Sequence, residues 1–600
     1  MRWNLREVDQ SPLRALAEAI SSLDLFRKSP GSTAIIAKLL LLRGIDTPEA
    51  AAHFLTPSLD QLHSPLLMTG MKAAVDRLEA AIERKEGILV YGDYDVDGTT
   101  AVVILKAAIE LCGGTADFHV PHRIREGYDL RGDVIERAAV GGIRLVISVD
   151  SGTRAFAAAD SARRAGIDLI ITDHHLPGPD GLPHAFAVVN PNQAGCGYPC
   201  KSLCGAGIAF KIAQALLARW LAHRDQAQLL LSFMKIAAIA TIADSVPLQG
   251  ENRVIASLGL NALRAAVNPG LKALLELAHL DGRPLTSEEV AFRIAPRINA
   301  AGRMDIAADV IDLFTLKDPA RAREVAARLD KLNSDRQEEE RRIVGAIEQR
   351  IAEETALRDS FCMVIDGDGW HRGVIGITAT RVVERYGRPA IVISREGDDA
   401  HGSGRSISAF HLLNALESCS HLFTRYGGHA HAVGFSLPSS RVAEFRAHME
   451  AYAGTHLKLA DLEPMLNLDA ELALDCITPE LVEALQKLSP FGAGNHEPVF
   501  CARGARLTAP VKVLKEKHVR MKLSPSQISA SDAGWRRSLT YNAMGWRLAE
   551  RSQNEKLLPG DHLDIAFNVG HNDHPEFGGI ELSLRDFKSS EKASARGTAT

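Results

Sequence analysis

The sequence predicts an α/β protein with three parts: a parallel, doubly wound sheet, a smaller α/β unit joined to it by a long helix, and a C-terminal β-barrel. Between about 80 and 245, short apolar runs alternate with helical patterns, which is the period of a parallel βαβ sheet. From Lys317 to Arg358 the composition shifts to Ala, Arg and Glu, with apolar residues at helical spacing. After 465, short alternating runs separated by turn residues replace the helical patterns.

At 600 residues, 46% of them hydrophobic, the chain can build several domains with ample core. A formal net charge of −5 gives no global nucleic-acid signal, so a nucleic-acid site must be a local basic patch. No run of roughly 18 uncharged apolar residues is present, and Met1 to Glu7 carries no leader pattern. Eight irregularly spaced cysteines do not make a disulfide framework, and the expected compartment is the cytoplasm, away from membranes.

Taken in order, residues 1–75 form a helical region, with Ala34–Leu42 apolar and Thr47-Pro48-Glu49 opening a helix. Ile88 to Tyr91 is a buried strand; three carboxylates follow at alternate positions, Asp93, Asp95 and Asp97, before a helix from Thr99 to Leu111. In extended chain, alternate side chains point the same way, and three like charges share a small volume only when cations hold them there. The bland alternative is an acidic turn with a helix cap.

Asp117 to Pro121 is the next strand. Leu145 to Val149 follows and ends in Asp150-Ser151-Gly152, Asp168 to Thr172 ends in Asp173-His174-His175, and Ala187 to Val189 ends in Asn190-Pro191-Asn192. All these carboxyl-end loops face one side of a parallel sheet, where ligands sit. Asp150 and His174 are 24 positions apart, one βα unit, so their loops are neighbours. Carboxylates with imidazole suit Mn²⁺ or Mg²⁺ better than a thiolate zinc site, though a backbone-satisfied His pair is the alternative. Asp244 ends the apolar helix Phe233–Ala243, where a negative charge opposes the macrodipole; a plain turn before Pro247 is its alternative.

The long charged helix is a spacer supported by i,i+4 ion pairs. Beyond it, strands Phe361–Ile365 and Ala390–Ile393 flank a helix from Thr378 to Tyr386. Two small-residue loops follow, Gly402-Ser403-Gly404-Arg405-Ser406 and Tyr426 to Phe435, whose backbone N–H groups and Arg405 can grip phosphate. In the last region, Leu466–Leu472, Val511–Leu523 and Leu563–Val569 suit an OB-like barrel. Lys512, Lys515, Lys517, His518, Arg520 and Lys522 form a basic stripe fit for single-stranded nucleic acid, or else a solvated ribbon. Cys196, Cys200 and Cys204 lack zinc-knuckle spacing and a fourth ligand, and Ser589–Thr600 has a disordered composition.

The stretch Tyr91 to Gly98, the Asp150-Ser151-Gly152 loop and Asp173-His174-His175 resemble the DHH phosphoesterase superfamily. Adding Asn190-Pro191-Asn192, Gly205 to Lys211, Ala243 to Leu248, Glu251-Asn252-Arg253, Arg297 to Arg303 and Leu332 to Gln337, the chain resembles the RecJ family of single-strand-specific DNA exonucleases. The resemblance implies a DHH domain at 76–315, a connecting helix at 316–358, a DHHA1 substrate-binding domain at 359–455, an OB-fold-like domain at 460–588 and a tail at 589–600. It implies two divalent cations, Mn²⁺ or Mg²⁺, held by Asp93, Asp95, Asp97, Asp150, His174 and Asp244. Which of the first three ligate directly is left open, with Asp95 and Asp97 favoured.

By the same resemblance His175 sits by the scissile phosphate, completing a catalytic set with Asp95, Asp97, Asp150, His174 and Asp244. Ser403, Arg405, Ser406, Gly427, Gly428 and His429 would bind the substrate's phosphates, with Asn299 in the same substrate set. Arg123 and Arg303 would reach its 5′ end, the alternative for each arginine being an ion pair. Asp129 stands where the family continues with glycine and is expected to add negative charge near Arg123; Ala432-Val433 departs from a second alanine.

The implied activity is 5′→3′ hydrolysis of single-stranded DNA to 5′-mononucleotides in repair and recombination, by a monomer working with single-strand-binding protein and a helicase. The alternatives are a hydrolase of short oligonucleotides or cyclic dinucleotides, and a non-catalytic DNA-binding scaffold.

Overall fold

The computed structural model describes residues 1–26, 30–123, 125–127, 129–304, 307–525, 539–572 and 578–590. They fall into two compact units, 62–464 and a second made of 1–61 together with 465–600. Of the expected disordered tail, 591–600 lie outside the described residues, and Ser589 instead closes the last strand.

In the larger unit, β1 (Gly87–Tyr91) leads into α1 (Val96–Leu111), and β2 (Ala116–His119) follows. Then come α2 (Gly132–Val140), β3 (Ile143–Val149), α3 (Phe156–Ala165), β4 (Asp168–Thr172) and β5 (Ala187–Val189). The strands pair in parallel in the order β2-β1-β3-β4-β5. Their middles are almost wholly buried, as continuous apolar runs covered by helices on both faces should be. The order reverses between β1 and β3, which opens a crevice at their carboxyl ends.

Helices α4 (Gly205–Trp220) and α5 (Gln226–Ala243) pack beside α1, and α6 (Gly250–Leu263) packs on α5. By length and composition α5 could cross a membrane, yet Phe233 to Ile242 contribute eight residues buried in this helical layer. A buried ion pair locks the layer. Lys211 Nζ on α4 lies 2.8 Å from Glu251 on α6, both side chains fully enclosed. Glu251 also accepts from the Tyr198 hydroxyl (2.6 Å) and the His63 backbone N–H (3.1 Å).

Helix α7 (Ala295–Met304) lies against α8 (Pro319–Glu353), which Asp318 caps and Pro319 opens. α8 buries Leu329, Ile343, Ile347 and Ile351 along one stripe, the last three within the core of the second sheet. That sheet comprises β6 (Met363–Asp368), β7 (Ala390–Glu396), β8 (Asp399–Arg405), β9 (Arg425–Gly428) and β10 (Ala432–Pro438), in the order β9-β10-β8-β7-β6. Helix α9 (Ile375–Tyr386) connects β6 to its parallel neighbour β7. The glycine-rich stretches expected as loops are largely antiparallel strands: Gly402–Arg405 belong to β8, paired with β10, which also pairs with β9.

In the smaller unit, residues 1–61 do not stand alone. Leu16, Ile20, Ile36, Leu39 and Leu40 share one core with Val519, Met521, Ile565 and Phe567. Arg2–Leu5 also pairs in parallel with Met465–Leu468. The segment is short and its helices amphipathic, so it buries its apolar faces on the C-terminal sheet rather than on itself. That sheet has seven strands, and Phe500–Leu507 curls back to meet His518–Ser524 through two residue pairs.

Candidate active site

The carboxylates following β1 do not converge as extended chain. Asp95 is the N-cap of α1, its side chain accepting the Gly98 N–H at 3.0 Å, and Asp97 already lies in the first helical turn. The helix thus begins three residues earlier than its periodicity predicts, because Asp95 is a strong cap. Asp97 turns inward to the N-terminus of α4, where Gly205 N–H (2.5 Å) and Ala206 N–H (2.7 Å) donate to its two oxygens. A Cβ on Gly205 would lie 2.5 Å from Asp150 Cβ, so only glycine lets this helix end approach so closely. On the other side α7 lies flush: a Cβ on Gly302 would stand 2.1 Å from the Tyr94 carbonyl oxygen.

Asp150, after β3, has a left-handed backbone (φ +60°), a strained state for a non-glycine residue. His174 Nε2 lies 3.1 Å from Asp150 Oδ1, 3.8 Å from Asp97 Oδ2 and 3.9 Å from Asp244 Oδ2. Potential ligand atoms within 4.8 Å of one another form three overlapping groups: Asp93, Asp95 and Asp150; Asp97, His174 and Asp244; Asp150, His174 and His175. Asp150 and His174 link the groups, so the six residues expected as metal ligands lie together.

The donor set fits hard divalent cations. Asp93 Oδ1 is buried without a hydrogen-bond partner among the described residues, an arrangement costly unless something else satisfies it. Burial, then the Asp95 charge, pushes Asp93 well above the usual carboxylate range. Burial and Asp97 raise Asp95; burial and then Asp97, Asp95 and Asp93 raise Asp150. Asp244 is pushed up to about 8 by burial and the Asp97 and Asp95 charges. Burial lowers the pKa of His174 against the pull of Asp97, favouring the neutral imidazole that binds metals.

Asp173, to which the sequence reading assigned no role, organises the histidine pair. Its Oδ1 accepts from the backbone N–H of His174 (2.8 Å) and His175 (3.1 Å) and stands 2.7 Å from His175 Nδ1. Its Oδ2 takes the Thr153 N–H at 2.9 Å. Burial works against ionisation of Asp173, but His175 and these donors outweigh it and hold the carboxyl at about 2. Burial works against the His175 cation too, and Asp173 overcomes it, raising that imidazole to about 9. Asn190 and Asn192 clamp the pair from behind, donating to the carbonyls of His175 (2.8 Å) and His174 (2.7 Å). The signal was an aspartate two positions before a histidine at a strand end.

Beside this cluster the second sheet borders a cavity of about 510 Å³ lined by five arginines: Arg123, Arg303, Arg372, Arg405 and Arg425. Among the described lining residues there is no carboxylate. Arg123 lies over the Tyr94 ring, 5.0 Å from its centroid, and Arg303 donates to the Gly373 carbonyl at 3.1 Å. Of the other residues expected to touch substrate, Ser403 and Gly427 line the cavity.

Ser406, Gly428 and His429 are not in that lining. Ser406 Oγ donates to the Phe410 carbonyl at 2.7 Å, and His429 is exposed. Asn299 accepts the Val96 N–H at 3.1 Å and so supports the start of α1 rather than the cavity. Arg372 and Arg425 went unnoticed in the sequence because each joins the cavity only through tertiary folding. Asp129 takes the left-handed conformation glycine would favour (φ +86°). Its carboxyl accepts the Leu130 N–H at 2.8 Å and lies within electrostatic reach of Asp173 and His175.

In the smaller unit Lys512 pairs across from Arg520, and with Lys522 they line a cavity of about 500 Å³. Lys515 and Lys517 sit in the intervening turn. Trp546, an aromatic not picked out from the sequence, is exposed and packs edge-on to His518 at 4.8 Å. The cysteine cluster belongs to none of the candidate metal groups among the described residues, and Cys204 caps α4 instead.

Residues 87–241 match the DHH family N-terminal domain, 359–455 the DHHA1 domain and 468–586 the RecJ OB domain. The chain is 35% identical over 598 residues to the single-stranded-DNA-specific exonuclease RecJ of Bacillus subtilis, covering 98% of this chain and 71% of that one. It also resembles the crystal structure of Thermus thermophilus RecJ in complex with Mn²⁺, with a TM-score of 0.80 at 27% identity over 98% of this chain and 79% of that one. The Mg²⁺ complex of the same protein gives a TM-score of 0.73 at 27% identity, covering 98% and 78%.

Proposed function

The chain belongs to the RecJ family, and from that premise we propose that it is a 5′→3′ exonuclease of single-stranded DNA, using two Mn²⁺ or Mg²⁺ ions and releasing 5′-mononucleotides. The observation that carries this reading is one crevice holding overlapping carboxylate–imidazole groups, beside a cavity lined by five arginines and, among the described residues, by no carboxylate.

Asp93, Asp95 and Asp150 would hold one cation, and Asp97, His174 and Asp244 the other. Divalent cations bound there supply Lewis acidity and lower the pKa of a bound water. Asp173 orients the His175 ring beside the metal ligands, where it would donate to the scissile phosphoryl group. Arg123, Arg303 and Arg405 grip the 5′-terminal phosphate, which fixes how far the strand enters and makes the product one nucleotide long.

Residues 76–315 act as the catalytic domain, 359–455 as the substrate-gripping domain and 460–588 as a single-strand-binding module, the Lys512, Arg520 and Lys522 stripe tracking the backbone by charge. We place the enzyme in the cytoplasm as a monomer that receives single strands from a helicase and a single-strand-binding protein.

The test uses a long single strand and its duplex, both 5′-labelled, with Mn²⁺ or Mg²⁺ and an Asp150→Ala control. Release of labelled mononucleotide from the single strand alone, lost in the control, is the expected result. Cleavage confined to very short oligomers would favour a small-phosphoester hydrolase, and binding without turnover a scaffold.

A further inference from the structure

The cavity is larger and more cationic than one terminal phosphate needs, and its sheet wall is built in rows. Ser403 on β8 pairs with Gly434 on β10, which pairs with Gly427 on β9. Two residues along, His401 pairs with Ser436, which pairs with Arg425. Side chains at such alternate positions share one face, and the rows are roughly 7 Å apart. His401 Nδ1 lies 2.9 Å from Ser436 Oγ, and the Arg372 charge falls on the same histidine.

The two ends of this wall have different neighbours. Arg405 and Arg303 are electrostatically coupled to each other and to Arg123, and Arg303 also to Asp95, so that end adjoins the metal ligands. The charged groups around His401 are Arg372, Glu396 and Asp399, none of them in the metal cluster. A phosphate gripped at Ser403 and Arg405 therefore has the second row behind it, on the side away from the reacting bond.

We propose that Arg372, His401, Arg425 and Ser436 form a second anion subsite that takes the outer phosphates of a 5′-polyphosphorylated strand, so that the enzyme accepts a 5′-triphosphate end as well as a monophosphate. Two arginines give bidentate grips, and the hydrogen-bonded Ser436–His401 pair supplies one further donor. The spacing of the rows is one that a chain of phosphoryl groups spans. The proposal rests on the exonuclease reading above. The same phosphoanhydride chemistry is carried by free nucleoside triphosphates, which the test separates.

The experiment compares kcat/KM on one single-strand sequence bearing a 5′-monophosphate or a 5′-triphosphate, with free Mn²⁺ held constant. The parent enzyme should cleave both within about threefold of each other, with the triphosphate appearing on the released nucleotide. In Arg372→Gln/Arg425→Gln the triphosphate-to-monophosphate ratio should fall at least about tenfold, a loss two charge-assisted hydrogen bonds can account for. Arg425→Lys should keep most of the ratio. No cleavage of the monophosphate strand would overturn the exonuclease reading itself. Cleavage of the monophosphate strand alone, or a ratio unmoved by the double substitution, would overturn the second subsite. Competitive inhibition by free dATP with no cleavage of the triphosphate strand would assign the row to a nucleotide and overturn the substrate proposal.

Discussion

Oδ1 of Asp173 lies 2.7 Å from Nδ1 of His175 while accepting the backbone N–H of both His174 and His175. One buried carboxylate therefore sets the backbone of both histidines and the charge of the His175 ring.

Asp173→Asn should lower kcat by about a hundredfold, because it removes the charge that orients and protonates the His175 ring and leaves the proposed metal ligands in place. KM for the strand should change little, because the arginine cavity is untouched. Steady-state kinetics on a 5′-phosphorylated strand checks this; a change confined to KM would place Asp173 outside the chemistry.

Asp150→Asn replaces a carboxyl whose ionisation is opposed by burial and by the neighbouring carboxylates with a neutral amide of the same shape. Asparagine tolerates the left-handed backbone at that position. The metal-free protein should melt several degrees higher, lose the stabilisation that Mn²⁺ gives the parent, and turn over at least about a hundredfold more slowly. Thermal melts with and without Mn²⁺, beside a turnover assay, test the trade. A metal-free midpoint at or below the parent's would contradict it.

Proton release should accompany cation binding. Asp93, Asp95, Asp150 and Asp244 all titrate above the ordinary carboxylate range in the folded chain, Asp244 at about 8. For a carboxylate raised on folding, the metal-free fold is most stable below the unfolded value near ~4 and loses stability as pH climbs towards the folded value. Cations bind the ionised forms, so the Mn²⁺-induced rise in melting temperature should grow between about pH 6 and pH 8. Calorimetry in buffers of different ionisation enthalpy should count protons released near neutrality; buffer-independent heats would argue against coupling.

Lys211→Met leaves Glu251 charged in an enclosed site. Breaking a buried pair in this way costs about 3–5 kcal/mol, and Lys211→Met/Glu251→Gln should recover part of it. Denaturant unfolding of the helical layer reads both. Equal loss in the single and double variants would mean that Lys211 acts by packing alone.

Much of this architecture is legible in the chain because strand ends and ligand types coincide: Asp150 and Asp173-His174-His175 each follow a run that could only be a buried strand. Where the reading failed, a local rule competed with a tertiary one. Asp93, Asp95 and Asp97 alternate like strand residues, but the capping strength of Asp95 starts the helix inside the run. Gly402, Gly404, Gly427 and Gly434 look like turn residues, yet they lie in paired strands that form the cavity wall or pack beneath it. Arg425 could not be joined to His401 without the register that sets β9 against β10 and β10 against β8, and Arg372 reaches them only from the turn before α9. The motif residues Lys211, Glu251 and Asn190 hold other residues in place, and no pattern in one sequence separates such a role from chemistry.

The pairing of residues 1–61 with 465–600 has a consequence for synthesis. About 400 residues leave the ribosome between the two halves of that unit, which at ~5–20 residues per second takes roughly 20–80 s. Through that interval the faces carrying Leu16, Ile20, Leu39 and Leu40 have been made while Val519, Met521 and Phe567 have not. The larger unit, contiguous in the chain, can complete its fold first. A ribosome that stalls before residue 465 would thus release a finished catalytic crevice tethered to a greasy, unmatched leader, a species that a chaperone or protease can distinguish from the full-length enzyme.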